Sequence, residues 1–103
     1  MADKRYSQRI PHDVNRIVFV RNLPLKASAE DMYEIFGKYG PIRQIRRGSA
    51  LKTRGTAFVI FEDLLSAKRA VDALNGFHMG GRYLVCLYYQ ADRHLAKEEK
   101  KDS

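Results

Sequence analysis

Two short segments hold residues whose types and spacing could act on a ligand. In Val18-Phe19-Val20-Arg21-Asn22-Leu23, an aromatic ring and a guanidinium stand two residues apart. In Arg54-Gly55-Thr56-Ala57-Phe58-Val59-Ile60-Phe61, a cation opens a run that ends in aromatic and aliphatic residues. An exposed ring can stack on a planar base, a contact worth ~1–3 kcal/mol. A guanidinium can hold phosphate oxygens. Together these groups could hold a flat-ringed polyanion such as single-stranded nucleic acid, provided that both rings emerge on one surface.

Bond-making chemistry finds no such constellation. His12, His78 and His94 fall in an arm, a loop and a tail, with no spaced partner for metal or acid–base work. Cys86 is the one cysteine, so no internal disulfide can form, and its inward parity makes it a small core residue. No catalytic residue, metal site or cofactor is expected, and the chain is read as a non-enzyme.

The rings need strands to carry them. Ile17-Val18-Phe19-Val20 is a β-branched and aromatic run that Asn22-Leu23-Pro24 ends. Ser28 opens a helix, with Asp31 placed to complete a capping box. Met32, Ile35, Phe36 and Tyr39 recur at helical spacing until Gly40-Pro41. Ile42 to Arg47 and Thr56 to Phe61 read as strands around a polar loop, Gly48 to Thr53. Leu64, Ala67, Ala70, Val71 and Leu74 mark a second helix, capped at Asn75-Gly76. Gly80-Gly81 turns the chain into a last strand, Tyr83 to Tyr89. Ala91 to Glu99 could form a short charged helix with Leu95 as its main apolar residue.

This order, β-α-β-β-α-β, predicts an α+β ferredoxin-like fold. Right-handed crossovers give an antiparallel four-stranded sheet in the order 4-1-3-2, with both helices on one face. Side chains alternate along a strand. With Val18, Val20, Ala57, Val59 and Phe61 inward, Phe19, Arg21, Phe58 and Ile60 share the open face. Arg54 is placed for phosphate contact. The expected domain spans 15–90, between a flexible basic arm over 1–14 and a C-terminal segment over 91–103.

Composition agrees with a small nucleic-acid-binding domain. The chain has 103 residues, 45% of them hydrophobic, and 19 lysines and arginines against 12 acidic residues. The resulting charge of +7 and pI near 9.8 favour a polyanionic partner. No apolar run is long enough to span a bilayer, and Met1–Pro11 lacks the apolar core of a signal peptide.

The two segments resemble the paired ribonucleoprotein motifs of the RNA-recognition-motif (RRM) family. Both lie in order on the first and third strands, and the resemblance covers about residues 15 to 90. It implies single-stranded RNA as ligand, with Phe19, Arg21, Gln44, Arg46, Arg54 and Phe58 as RNA-binding residues. Arg43, Arg46, Arg47, Lys52 and Arg54 would form a basic edge that tracks phosphates.

Two departures argue against a free RNA reader. Thr56 stands where the family usually has an aromatic, so one stacking platform is missing. If Leu84 and Cys86 point inward, Val85 and Leu87 point outward and join Phe19, Phe58 and Ile60 in a contiguous apolar patch. Such patches mark partner sites. Ile60, Val85, Leu87 and Leu95 are therefore the expected partner-binding residues. Two other readings fit poorly. The turn Arg82-Tyr83-Leu84 lacks the Arg-X-Phe signature of RRM variants that capture a tryptophan peptide. The loop Asn22-Leu23-Pro24-Leu25-Lys26 lacks the glycines with which acylphosphatases, which share the topology, cradle phosphate.

A narrower resemblance rests on Asn15-Arg16-Ile17, on Phe36-Gly37-Lys38-Tyr39-Gly40-Pro41-Ile42-Arg43-Gln44-Ile45-Arg46, on Thr53-Arg54-Gly55-Thr56-Ala57, and on Arg82 to Val85 with Leu87-Tyr88-Tyr89. These are similar to the small RRM subunits of splicing factor 3b in the U2 small nuclear ribonucleoprotein (snRNP), which share the threonine at position 56. That resemblance implies a nuclear pre-mRNA splicing factor, a monomer on its own. Its partners would be other U2 snRNP components, the pre-mRNA branch-site region with its adenosine, and a segment of the large HEAT-repeat subunit lying over the sheet. It also implies a residual pocket that exposes Phe19, where the family carries tyrosine. Phenylalanine keeps the stacking surface and removes one hydrogen bond. The alternative is a free-standing RRM that reads single-stranded RNA on an open sheet.

Overall fold

A computed structural model of the chain describes residues 14–89. The elements are β1 (Ile17–Arg21), α1 (Ala29–Phe36), β2 (Ile42–Arg47), β3 (Ala57–Phe61), α2 (Leu64–Leu74), β4 (His78–Met79), β5 (Arg82–Tyr83) and β6 (Val85–Tyr88). Four strands form an antiparallel sheet in the order β2-β3-β1-β6, the ferredoxin-like order expected. Of the anticipated arm over 1–14, only Val14 is among the described residues, and it is buried rather than part of a free arm; the C-terminal helix around Leu95 lies outside them.

The inner face of the sheet and both helices enclose one core. Val18, Val20, Val59, Phe61, Met32, Phe36, Ala67 and Ala70 are all fully buried in it. Burying a large apolar side chain of this kind contributes ~1.5–3 kcal/mol, so these residues carry the fold. Cys86 lies in the same cluster, and burial pushes its thiol up to about 12. It is therefore protonated at neutral pH and behaves as a small hydrophobe.

Local chemistry sets the helix ends. The Ser28 backbone N–H donates to Asp31 Oδ2 at 3.0 Å, and the Asp31 N–H donates to Ser28 Oγ at 3.0 Å. This reciprocal capping box satisfies two donors that the first turn would otherwise leave unpaired. The helical pattern that reached Tyr39 in the sequence divides in two. The α-helix stops at Phe36, and Gly37–Tyr39 tighten into a 3₁₀ turn. Gly40 then takes φ 151°, and a Cβ there would lie 1.9 Å from Ser66 Oγ. Only glycine lets the end of the 3₁₀ turn approach α2 this closely.

Helix α2 is capped by Asp63, whose Oδ1 accepts from the Ser66 N–H at 2.8 Å and whose Oδ2 accepts from the Ser66 hydroxyl at 3.1 Å. The backbone bond, aided by the hydroxyl, holds the Asp63 carboxyl below its usual value.

The last strand differs from the expected Tyr83–Tyr89 run. Arg82 and Tyr83 pair with Met79 and His78 in a separate hairpin, and the sheet strand begins at Val85. The cause lies in β1. Arg21 is the last β1 residue to pair with β6, because Asn22 adopts φ 63° and turns the chain away. Asn22 Nδ2 donates instead to the Tyr83 carbonyl at 2.9 Å. The backbone of Leu84 pairs with Gly76 and Phe77, the segment after α2. Strand β3 likewise begins at Ala57 and leaves Thr56 in the preceding loop.

Candidate nucleic-acid interface

The open face is a grid defined by strand register. Phe19 lies opposite Phe58 on one side and Leu87 on the other, and Phe58 lies opposite Arg46. One row across the sheet therefore reads Leu87, Phe19, Phe58, Arg46. The next row pairs Ile17 with Ile60 and Ile60 with Gln44. Toward the far end, Arg21 lies beside Val85. A register shift between Ile42 and Gln44 makes the β2 half of this grid possible. The extra residue lets Ile42 and Ile45 both pack on the core while Gln44 and Arg46 stay exposed.

The two motif rings meet. Phe19 and Phe58 have centroids 5.0 Å apart at an interplanar angle of 38°. The Tyr89 ring stands edge-on to Phe58, 4.9 Å away at 72°. Both phenylalanines are half-buried, so each ring keeps accessible surface for a stacked base. Tyr89 was not among the expected site residues. Its signal was present, since it stands two residues beyond Leu87 and shares that face.

Beside the rings lies a cavity of about 770 Å³, walled by Phe19, Phe58 and Tyr89 and by the loop between β2 and β3. That loop folds back on itself. The Thr53 and Arg54 N–H groups donate to the Ala50 carbonyl at 3.0 and 2.8 Å, and the Gly48 N–H donates to Thr56 O at 2.9 Å. A Cβ on Gly48 would come within 2.1 Å of Thr53 O, so the closed turn requires glycine. Thr56 fills the place of the missing aromatic, and its hydroxyl donates to Thr53 O at 2.5 Å. It therefore fastens the wall of the groove and offers no stacking surface.

The described lining includes Arg46, Arg47 and Lys52 and no carboxylate, so the groove is cationic on its loop side. Arg47 has a further role: its Nη1 donates to the Ala27 carbonyl at 2.5 Å and ties β2 to the loop before α1. Arg47 stays exposed in the groove lining, and this bond fixes where its guanidinium lies.

Of the six residues expected to contact RNA, the groove brings together Phe19, Phe58 and Arg46. Arg21 and Gln44 share the sheet face but lie away from the cavity, and Arg54 is exposed on the loop outside its lining. Among the expected partner-binding residues, Ile60 and Val85 are half-buried and Leu87 is 45% exposed. Leu95 lies outside the described residues. Among those residues no group of histidine, cysteine and acidic side chains could hold a metal ion, and no helix is long and apolar enough to cross a membrane.

Comparison with known proteins places this geometry. The RNA recognition motif family matches residues 18–85. The splicing factor 3B subunit 6-like protein of Arabidopsis thaliana is 51% identical over 100 residues, covering 97% of this chain and 81% of that protein. Splicing factor 3B subunit 6 of Drosophila melanogaster is 55% identical over 91 residues, covering 88% and 75%. Among solved structures, the Rna15 RRM with bound RNA (GU) superposes with a TM-score of 0.68 at 26% identity, over 82% of this chain and 98% of that one. With paired rings on its two central strands and relatives of this closeness, the chain belongs to the RNA recognition motif family, where it is similar to the proteins named splicing factor 3B subunit 6.

Proposed function

We propose that the chain is a non-catalytic, nuclear pre-mRNA splicing factor, an RRM subunit of the splicing factor 3b complex of U2 snRNP. Its groove, with Phe19 and Phe58 as stacking surfaces and Arg46 as a phosphate contact, faces the pre-mRNA near the branch-site adenosine. Arg21, Gln44 and Arg54 extend the contact along the backbone. The apolar side of the sheet, with Ile60, Val85 and Leu87, receives a segment of the large HEAT-repeat subunit, and Leu95 is a further contact for that partner.

The observation that carries this reading is the asymmetry of one row of the sheet. Leu87 and Phe19 are apolar at the β6 side, while Arg46 and the cationic groove lie at the β2 side. An apolar strip suits a protein segment, and a cationic groove with exposed ring surface suits a nucleic-acid strand. The names of the relatives support the splicing assignment.

The test is a titration of the chain with short single-stranded RNA at physiological salt, followed by backbone amide NMR. The splicing-subunit reading expects weak shifts near the groove and the basic edge. Addition of the HEAT-repeat subunit's segment should then move Ile60, Val85 and Leu87. Strong RNA binding that maps across Phe19, Phe58, Val85 and Leu87 would sink it in favour of a free-standing RNA reader. The accessible, paired motif rings favour that second reading.

A further inference from the structure

The wall of the groove carries a feature that nucleic-acid contact does not use. Arg46-Arg47-Gly48-Ser49 sets two guanidinium groups three and two residues ahead of a serine. A protein kinase whose peptide cleft is lined with carboxylates selects such serines, because guanidinium and carboxylate pair bidentately.

The structure distinguishes Ser49 from the other serine and threonine hydroxyls of the described residues. Ser28 Oγ caps α1, Thr53 Oγ1 accepts from the Ala50 N–H, Thr56 Oγ1 donates to Thr53 O, and Ser66 Oγ donates to Asp63. Ser49 is exposed, and among the described residues no hydrogen bond engages its side chain. It stands two residues beyond the end of β2, an edge strand of the sheet. An extended segment at a sheet edge can leave its last residues to lie in a partner's cleft. Three side-chain contacts must open, Arg47 to the Ala27 carbonyl, the Ala50 N–H to Thr53 Oγ1 and Thr53 Oγ1 to the Ala50 carbonyl, together with the backbone bond from the Gly48 N–H to Thr56 O.

We propose that Ser49 is a phosphorylation site for a basic-directed protein kinase, and that the phosphate occupies the cationic side of the groove. In the transfer, Ser49 Oγ attacks the γ-phosphorus of a nucleoside triphosphate. The new O–P bond forms as the bond to the β-phosphate oxygen breaks. A nucleoside diphosphate leaves, and the hydroxyl proton passes to the kinase's catalytic base. The product carries a charge of about −2 and three acceptor oxygens. Ser49, Arg46 and Lys52 line the same cavity. The phosphate therefore competes for the cations that an RNA backbone would use, and it repels the RNA's own phosphates. This second consequence rests on the RNA reading proposed above; the modification itself does not.

The experiment treats the full chain with ATP and the catalytic subunit of the cyclic-AMP-dependent protein kinase. Intact mass and peptide mapping should find one phosphoryl group at Ser49, absent in Ser49→Ala. In NMR spectra the modification should move the Arg46 and Lys52 side-chain resonances. Affinity for a short oligouridylate should fall roughly tenfold at physiological salt, about the effect of losing one or two phosphate contacts. The site is overturned if the chain stays unmodified while an Arg-Arg-Gly-Ser-Ala-Leu peptide is phosphorylated alongside it. The placement of the phosphate is overturned if Ser49 is modified and Arg46 and Lys52 do not respond. If the unmodified chain binds no oligouridylate, the RNA reading fails, and mass and NMR still decide the modification.

Discussion

The two faces of the sheet are made from the same strands, and residues one position apart have opposite fates. Val18, Val20, Ala57 and Val59 are at most 1% exposed, enclosed by α1 and α2. Between them, Phe19, Phe58 and Ile60 point the other way and remain partly exposed. Both faces are apolar at their centre, yet only one is satisfied by the chain's own helices. The inner face is apolar because folding needs it; the outer face is apolar at a cost in solubility that folding does not repay. Hydrophobicity in one strand thus serves two purposes, and only position relative to the helices tells them apart.

Mutations that move between faces sharpen this contrast. The largest effect is expected on the inner face. Phe61→Ala should destabilise the domain by ~3–5 kcal/mol, the cost of emptying a packed aromatic site, read as a shift in urea midpoint. A loss near 1 kcal/mol would mean that the core collapses around the gap.

On the outer face, Phe58→Ala should weaken RNA binding by ~1–3 kcal/mol. Its stability cost should be smaller than that of Phe61→Ala, because the lost contacts are the ring pairs with Phe19 and Tyr89, worth ~0.5–1.5 kcal/mol each. Calorimetric binding and denaturation on the same sample separate the two quantities. Equal stability losses at positions 58 and 61 would erase the distinction between the faces.

Leu87→Asp and Val85→Asp should abolish capture of the HEAT-repeat segment. For the more exposed Leu87→Asp, stability should change by about 0.5 kcal/mol or less, as at other surface sites. Unchanged partner affinity in a pull-down would remove the case for a covered sheet.

The last effect concerns the α2 cap, remote from either ligand. Asp63→Ala should cost ~1 kcal/mol. The Asp63 carboxyl is held below its ordinary 3.8, first by the hydrogen bond from the Ser66 backbone. A lowered carboxyl stabilises the fold fully above its unfolded value and loses that contribution as pH falls through the folded one. Thermal unfolding below pH 3.8 should therefore separate the native chain from Asp63→Asn, whose cap does not titrate in this way.

Much of this arrangement was legible in residue order. Ser28 with Asp31 marked the start of α1, the paired motifs marked β1 and β3, and alternation assigned Phe19 and Phe58 to one face. Leu84 and Cys86 also proved to be buried, with Val85 and Leu87 more exposed, as their parity required. Less legible were features in which one segment limits another. Tyr83 has strand-forming character, but Asn22 turns β1 away, so no strand of the main sheet is left for Tyr83 to pair with. Arg47 was expected in the basic edge, but its bond to the Ala27 carbonyl, twenty residues back in the chain, was not legible.

The sequence by itself determined the order of elements, the fold, the family and the pair of rings, because these depend on periodicity, caps and short motifs that act within a few residues of chain. Tertiary structure decided the rest. The bulge between Ile42 and Gln44, the groove between the motif rings and the β2–β3 loop, and the edge-on Tyr89 ring join residues far apart in the chain or reset their register. Local pattern carries no record of which distant backbone will claim a hydrogen bond or which loop will fold over a face, so those features arise only when the strands have paired and the helices have packed.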